Sequence, residues 1–199
     1  GKGSRIGGEK LFLRVEGRFL LELVLRRLAG FAEAVVVAAD ELRAELARSV
    51  LAGLSFPMPV RVVHDRREGL GPLEGLAVGL AEASEEWAFA VGCDMPWINE
   101  AVVRSMAERL SPDVDVVCCR IGGYLEPLHA FYSRRCLAEV ERALEEGKRR
   151  LRSFYDAVRV LVVEEHEISH IPGYARSFAG VNSEEDLFDY LFRLWLSLR

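Results

Sequence analysis

Short apolar, β-branched runs alternate along this chain with longer stretches in which apolar residues recur at intervals of three and four. That alternation predicts an α/β domain whose sheet is largely parallel, with helices covering it. The strand-like runs are Ala34–Ala39 (AVVVAA), Val60–Val63, Ala88–Cys93, Val114–Cys119, Leu128–Tyr132 and Val158–Val163. Helical periodicity occupies Phe19–Ala29, Glu41–Leu51, Leu73–Ala83, Ala101–Leu110, Arg134–Glu146 and Glu184–Leu196. No linker, repeat or low-complexity tract divides them, so the expectation is one three-layer α/β/α, Rossmann-like domain over residues 1–199.

Helix punctuation agrees with this reading. Pro72 suits a first helical turn, because its ring presets φ and it has no amide hydrogen to leave unpaired. Ser183 followed by Asp186 has the form of a capping box for the last helix. The amino terminus is different, since GKGSRIGGEK is a glycine-rich, cationic loop with no strand before it. Such a loop in an α/β protein hangs from the carboxyl end of a strand, so a hydrophobic first strand is expected upstream of Gly1.

Composition narrows the function. A formal net charge of −5 argues against a general nucleic-acid binder and leaves any anion site local. No apolar run reaches the ~20 residues that span a bilayer, so no membrane partner is expected. Cys93, Cys118, Cys119 and Cys136 lack metal or redox spacing and read as buried free thiols of a reducing compartment. The chain has no Thr or Gln and far more Arg than Lys, which fits either a thermophile or biased base composition.

Three loops carry chemistry. Successive amides of a glycine-rich turn can point into one concavity and bind phosphate oxygens, and Lys2, Arg5 and Lys10 add charge around the first such loop. Asp94 lies in VGCDMPW at the end of a predicted strand, where ligands of open α/β sheets bind; a hard carboxylate there suits Mg²⁺ shared with substrate phosphates. The alternative role for Asp94 is a helix N-cap, which Asn99 can fill instead. In VVHDRREGLGPLEGL, Gly69, Gly71 and Gly75 stand too far from the strand for a dinucleotide fingerprint. The Gly71-Pro72-Leu73 backbone instead suits a planar base, with Asp65 accepting from base donors or ribose hydroxyls; guanine fits, and other bases remain open.

Two further segments need weighing. Lys148, Arg149 and Arg150, followed by Arg152, are either a solvated face or cations for an acceptor phosphate. His166-Glu167-Ile168-Ser169-His170 matches H-E-x-x-H, but it follows a strand and meets Pro172-Gly173, so the long helix a zinc site needs is not expected. His64 and His129 sit in apolar strand contexts and read as structural histidines, with His129 also a candidate to face an acceptor.

Taken in order, GKGSRIGGEKLFLRVEG, DRREGLGPLEGLAVGL, VGCDMPWI, EPLHAFYSRRCL and FAGVNSEEDL resemble the molybdenum cofactor guanylyltransferases across nearly the whole chain. The first segment marks the wider nucleotidyltransferase superfamily; the others narrow it. The resemblance implies transfer of GMP from GTP to the terminal phosphate of molybdopterin, with Mg²⁺ as cofactor and pyrophosphate released. It implies that Gly1, Gly3, Arg5 and Lys10 hold phosphates, that Asp40, Asp65 and Gly71 lie at the nucleoside, and that Asp94 binds the metal. Arg5, Lys10 and Asp94 would be catalytic; Arg149, Arg150 and Asn182 would meet the acceptor. Asp40 stands where the family often has asparagine, and Gly180 replaces one of two asparagines before the last helix. The Leu-Ala-Gly that precedes the first glycine in the family is expected upstream of Gly1. A cytoplasmic setting and transient contact with molybdoenzyme maturation proteins complete what the resemblance implies.

The alternatives are a nucleotidyltransferase of another substrate, using CTP, a sugar phosphate or a phospholactate-like acid, and a non-catalytic nucleotide-binding module. The nucleoside triphosphate that binds separates the first, and pyrophosphate release separates the second.

Overall fold

The computed structural model describes residues 13–15, 17–181 and 186. The glycine-rich loop, Asn182 and most of the last predicted helix lie outside the described residues. A small antiparallel pair, β1 (Arg14–Val15) and β2 (Arg18–Phe19), leads into α1 (Leu20–Arg27). A β-α-β unit follows: β3 (Ala34–Ala38), α2 (Glu41–Leu51) and β4 (Val60–His64), with β3 and β4 parallel from Ala34↔Val60 to Ala38↔His64.

α3 (Pro72–Glu82) then leads to a second sheet. Its strands are β5 (Trp87–Val91), β6 (Val116–Ile121), β7 (Tyr124–Ser133) and β8 (Val160–Glu164), in the spatial order β5-β7-β6-β8. α4 (Glu100–Ala107) links β5 to β6, α5 (Leu137–Glu145) follows β7, and the one-turn α6 (Glu165–Ile168) follows β8. β6 and β8 are parallel, while β7 is antiparallel to both β5 and β6, so one strand of this sheet is reversed. The reversal is local in origin. Gly122 (φ 55°) and Gly123 (φ 85°) form a two-residue turn between Ile121 and Tyr124, the positive-φ pair that a tight hairpin requires.

Helices cover both faces of the second sheet, which is why VVCC reads as a continuous apolar run. Val116 and Cys118 pack with Leu73, Leu76 and Leu80 of α3 and Val140 and Leu144 of α5. Val117 and Cys119 point the other way, onto Val102 and Met106 of α4 and Ile168 of α6. A fully buried Leu such as Leu73 or Leu80 stabilises the fold by roughly 1.5–3 kcal/mol. α3 also packs close to β3: a Cβ at Gly75 or Gly79 would lie 4.0 or 3.7 Å from the Val37 side chain. Cys118, Cys119 and Cys136 are buried as expected, but Cys93 is exposed, because it lies in the turn beyond the end of β5 rather than within the strand. No helix among the described residues is long and apolar enough to cross a membrane.

Candidate functional site

Three aspartates stand just beyond the carboxyl ends of three strands: Asp40 after β3, Asp65 after β4 and Asp94 after β5. Each is held differently. Asp40 is the N-cap of α2, accepting from the Arg43 backbone at 2.9 Å through Oδ1 and pairing with the Arg43 guanidinium through Oδ2. Both its oxygens therefore have a structural occupation, and its pKa is lowered chiefly by the Arg43 backbone bond.

Asp65 is buried. Its backbone N–H still donates to Ala38 at 2.8 Å, extending the β3–β4 ladder by one residue, and its Oδ1 lies 3.8 Å from where a Cβ on Gly75 would sit. Burial, and then the charge of Glu74, push the Asp65 carboxyl up to about 6. His64, which the apolar context marked as structural, is an exposed residue with partners: Nδ1 lies 2.9 Å from the Asp65 carbonyl and Nε2 3.0 Å from Glu41 Oε2.

The loop after Asp65 ends in Gly71, the N-cap of α3, with φ 74° and ψ −158°. That backbone region is essentially open to glycine alone. Pro72 takes the first helical position, as its ring predicts. Below the loop, Glu74 is fully buried and holds Arg67, with Oε2 accepting from Nε at 2.9 Å and forming an ion pair with Nη2 at 2.7 Å. Arg67 Nη2 also reaches Glu141 of α5 at 2.6 Å. On the outer side, Arg149 Nη1 donates to the Gly69 carbonyl at 2.6 Å, and the Arg149 carbonyl lies 3.9 Å from a Cβ built on Gly71. The basic run thus seats on the glycine loop, with Arg149 bonded to it and Arg150 exposed beside it.

Asp94 lies in a tight turn in which Met95 N donates to Gly92 O at 3.1 Å. A Cβ on Gly92 would meet Asp94 Oδ1 at 2.5 Å, so the carboxylate folds back over a space that only glycine leaves open. The Asp94 carbonyl accepts from Val181 N at 2.7 Å. Helix capping falls to Asn99, whose Oδ1 accepts from Ala101 N at 2.9 Å, so Asp94 is not the N-cap of α4. Among the described residues no group of three His, Cys, Asp or Glu could hold a metal ion. A single hard carboxylate fits Mg²⁺, which keeps waters and is completed by phosphates rather than by an all-protein cage.

Of the residues singled out from sequence, Gly1, Lys2, Gly3, Arg5, Lys10 and Asn182 lie outside the described residues. Asp65, Gly71 and Arg149 are brought together on one loop and its support. His129 does not face an acceptor: it is fully buried, edge-on to Phe89 at 5.0 Å and beside Phe178 at 4.4 Å, and burial lowers its pKa to about 4. In the H-E-x-x-H segment, α6 has a single turn, Glu167 is bound into a capping box and to Arg109 at 3.1 Å, and both histidines are exposed.

Sequence reading missed three features. The Arg67–Glu74–Glu141 network carries no spacing signal, because its members come from a loop and two helices. Glu126 lies where the β6–β7 register shifts, and burial raises its pKa. Ser177 bonds both to His129 and to the backbone of Asn99.

Comparison with known proteins adds the following. The family profile described as the MobA-like NTP transferase domain matches residues 1–163. A probable molybdenum cofactor guanylyltransferase of Methanosarcina acetivorans is 35% identical over 193 residues, covering 94% of this chain and 84% of the relative. A molybdenum cofactor guanylyltransferase of Syntrophotalea carbinolica is 32% identical over 187 residues, with the same coverage of 94% and 84%. The crystal structure of molybdopterin-guanine dinucleotide biosynthesis protein A from Archaeoglobus fulgidus superposes with a TM-score of 0.79 at 26% identity, covering 95% of this chain and 92% of that one.

Proposed function

Because this chain belongs to the MobA-like NTP transferase family, we propose that it moves GMP from GTP onto the terminal phosphate of molybdopterin, releasing pyrophosphate and forming the guanine dinucleotide cofactor. The observation that carries the reading is the seating of Arg149 on Gly69, which joins a cationic loop to the loop that follows Asp65. A base and an incoming phosphate thereby have neighbouring surfaces. The setting we assign to this reaction is the cytoplasm.

The chemistry follows from charge. The acceptor is a phosphate monoester whose second pKa of about 6 leaves it largely dianionic at neutral pH, so it needs no general base. Repulsion is the obstacle. Two like unit charges ~4 Å apart repel by about 4 kcal/mol at an effective dielectric near 20, and here the donor carries several charges. Asp94 would hold Mg²⁺, which when bound neutralises phosphate charge and helps pyrophosphate depart. Arg5 and Lys10 are assigned to the triphosphate, Arg149 and Arg150 to the acceptor phosphate, and Asn182 to the acceptor side. Asp65 would accept hydrogen bonds from the guanine, and Gly71 lets the backbone run flat beside it. Catalysis by these residues is positioning and electrostatics, with no residue cast as acid or base.

The test is direct. Purified protein mixed with GTP, Mg²⁺ and molybdopterin should release pyrophosphate one for one with dinucleotide formed, and CTP should give under a tenth of that rate. Release from CTP alone would reassign the nucleotide; binding of GTP without pyrophosphate release would leave a nucleotide-binding module.

A further inference from the structure

We infer that Ser177 is a positioning residue: its hydroxyl, anchored on His129, holds the Asp94 turn and the segment ending at Val181 together as one unit. The inference rests on the proposed function only in taking Asp94 as the metal-binding residue.

Ser177 is fully buried in the short 3₁₀ helix Tyr174–Phe178. Its Oγ accepts from the Asn99 backbone N–H at 2.9 Å and lies 2.7 Å from His129 Nε2. A hydroxyl has one proton to give and two lone pairs. With the Asn99 bond taking one lone pair, donation of the O–H to Nε2 satisfies Ser177 and leaves the proton of the neutral imidazole on Nδ1. That nitrogen is buried and has no hydrogen-bond partner. A buried polar atom left unpaired costs stability, and a phenylalanine would fill this aromatic nest without that cost. The histidine is therefore kept for the atom it offers Ser177.

The bonds around Ser177 converge on the Asp94 turn. Asn99 Nδ2 donates to the Pro172 carbonyl at 3.0 Å, Asn99 N donates to Ser177, and Val181 N donates to the Asp94 carbonyl at 2.7 Å. The stretch from Gly92 to Asn99 thus meets the stretch from Pro172 to Val181 at both of its ends. At the sheet, the strand residue before the turn, Val91, is paired with His129 itself. One histidine consequently references the turn twice, through the ladder and through Ser177. Displacement of this unit would disturb the metal side, whereas none of these bonds reaches the Asp65 loop.

The experiment compares wild type, Ser177→Ala, His129→Phe and the double variant, each assayed well below its own melting temperature. Local hydrogen exchange over residues 94–99 and 177–181, Mn²⁺ affinity in the presence of GTP, and kcat and KM for each substrate are measured. Each single variant is expected to speed exchange at Asn99 and Val181 about tenfold, to weaken Mn²⁺ binding and lower kcat about tenfold, and to leave the KM for GTP within twofold. The double variant should match the singles, since both remove one relay. A lower melting temperature with exchange, Mn²⁺ affinity and kcat unchanged would overturn the inference, as would additive losses. Should Ser177→Ala fail to fold, Ser177→Cys keeps the shape with a poor donor and the same expectations apply. Asp94→Ala serves as control: if it binds Mn²⁺ like wild type, the metal assignment falls, and the exchange data alone decide the Ser177 tether.

Discussion

Arg149 and Gly69 are 80 residues apart in sequence and joined by a 2.6 Å hydrogen bond from the guanidinium to the carbonyl. The cation assigned to the acceptor thus also braces the loop assigned to the nucleoside. Arg149→Ala should raise the KM for both GTP and molybdopterin several-fold, whereas Arg150→Ala should raise only the acceptor KM. Steady-state kinetics with each substrate varied in turn separates the two, and equal effects from both variants would remove the bracing role.

Gly92 and Asp94 make a second pair. A side chain at Gly92 would press on Asp94 Oδ1 from 2.5 Å, so Gly92→Ala must turn the carboxylate away. The apparent Mg²⁺ constant should rise about tenfold with little change in melting temperature. Asp94→Ala should lower kcat by at least ~100-fold, in line with loss of electrostatic stabilisation at a transferring phosphoryl group, while circular dichroism stays that of the folded protein.

Asp65 predicts a pH dependence with a definite sign. Its folded-state pKa, raised to about 6 by burial and by Glu74, exceeds the ordinary 3.8. The native state therefore binds the extra proton, and the stability this contributes is complete below pH 3.8 and lost as pH rises through about 6. The difference amounts to about 3 kcal/mol. Urea denaturation between pH 4 and pH 7 should show wild type losing roughly 2 kcal/mol relative to Asp65→Asn, because part of the full difference lies below pH 4. GTP affinity should run the other way, weakening below pH 6 in wild type and staying flat in the variant, because only the carboxylate accepts from two donors.

Arg67 pairs with one oxygen of a carboxylate, Glu74, that has no exposed surface. Arg67→Ala strands that charge and should destabilise the protein by about 2–3 kcal/mol, less than for a fully enclosed pair because Arg67 is 39% exposed. Arg67→Met combined with Glu74→Met should recover more than half of the loss in a chemical denaturation series. No recovery would mean that the pair does more than neutralise itself.

Much of this protein was legible in its own sequence. Strand positions, helix positions and the helix start at Pro72 follow from periodicities and backbone restrictions that act over a few residues, and among the described residues the structure keeps them within a few positions. Gly71 could be marked as a place where backbone runs close to a ligand, and Asn99 could be named as the cap of the helix after Asp94; the structure adds that Gly71 has a backbone conformation open to glycine alone. The Gly122-Gly123 hairpin was equally readable, and passing over it made the sheet look more parallel than it is.

Long-range meetings were decided only by the tertiary structure. The bond from Arg149 to Gly69, the shared grip of Glu74 and Glu141 on Arg67, and the line from His129 through Ser177 to Asn99 join residues with no common period or spacing. Burial is likewise a property of the assembled layers: two histidines in similar strand contexts ended up apart, His64 in solvent and His129 sealed among aromatic rings. Local sequence sets what a residue can do with its own backbone. Which groups lose water, and beside whom, depends on how the helices close over the sheet.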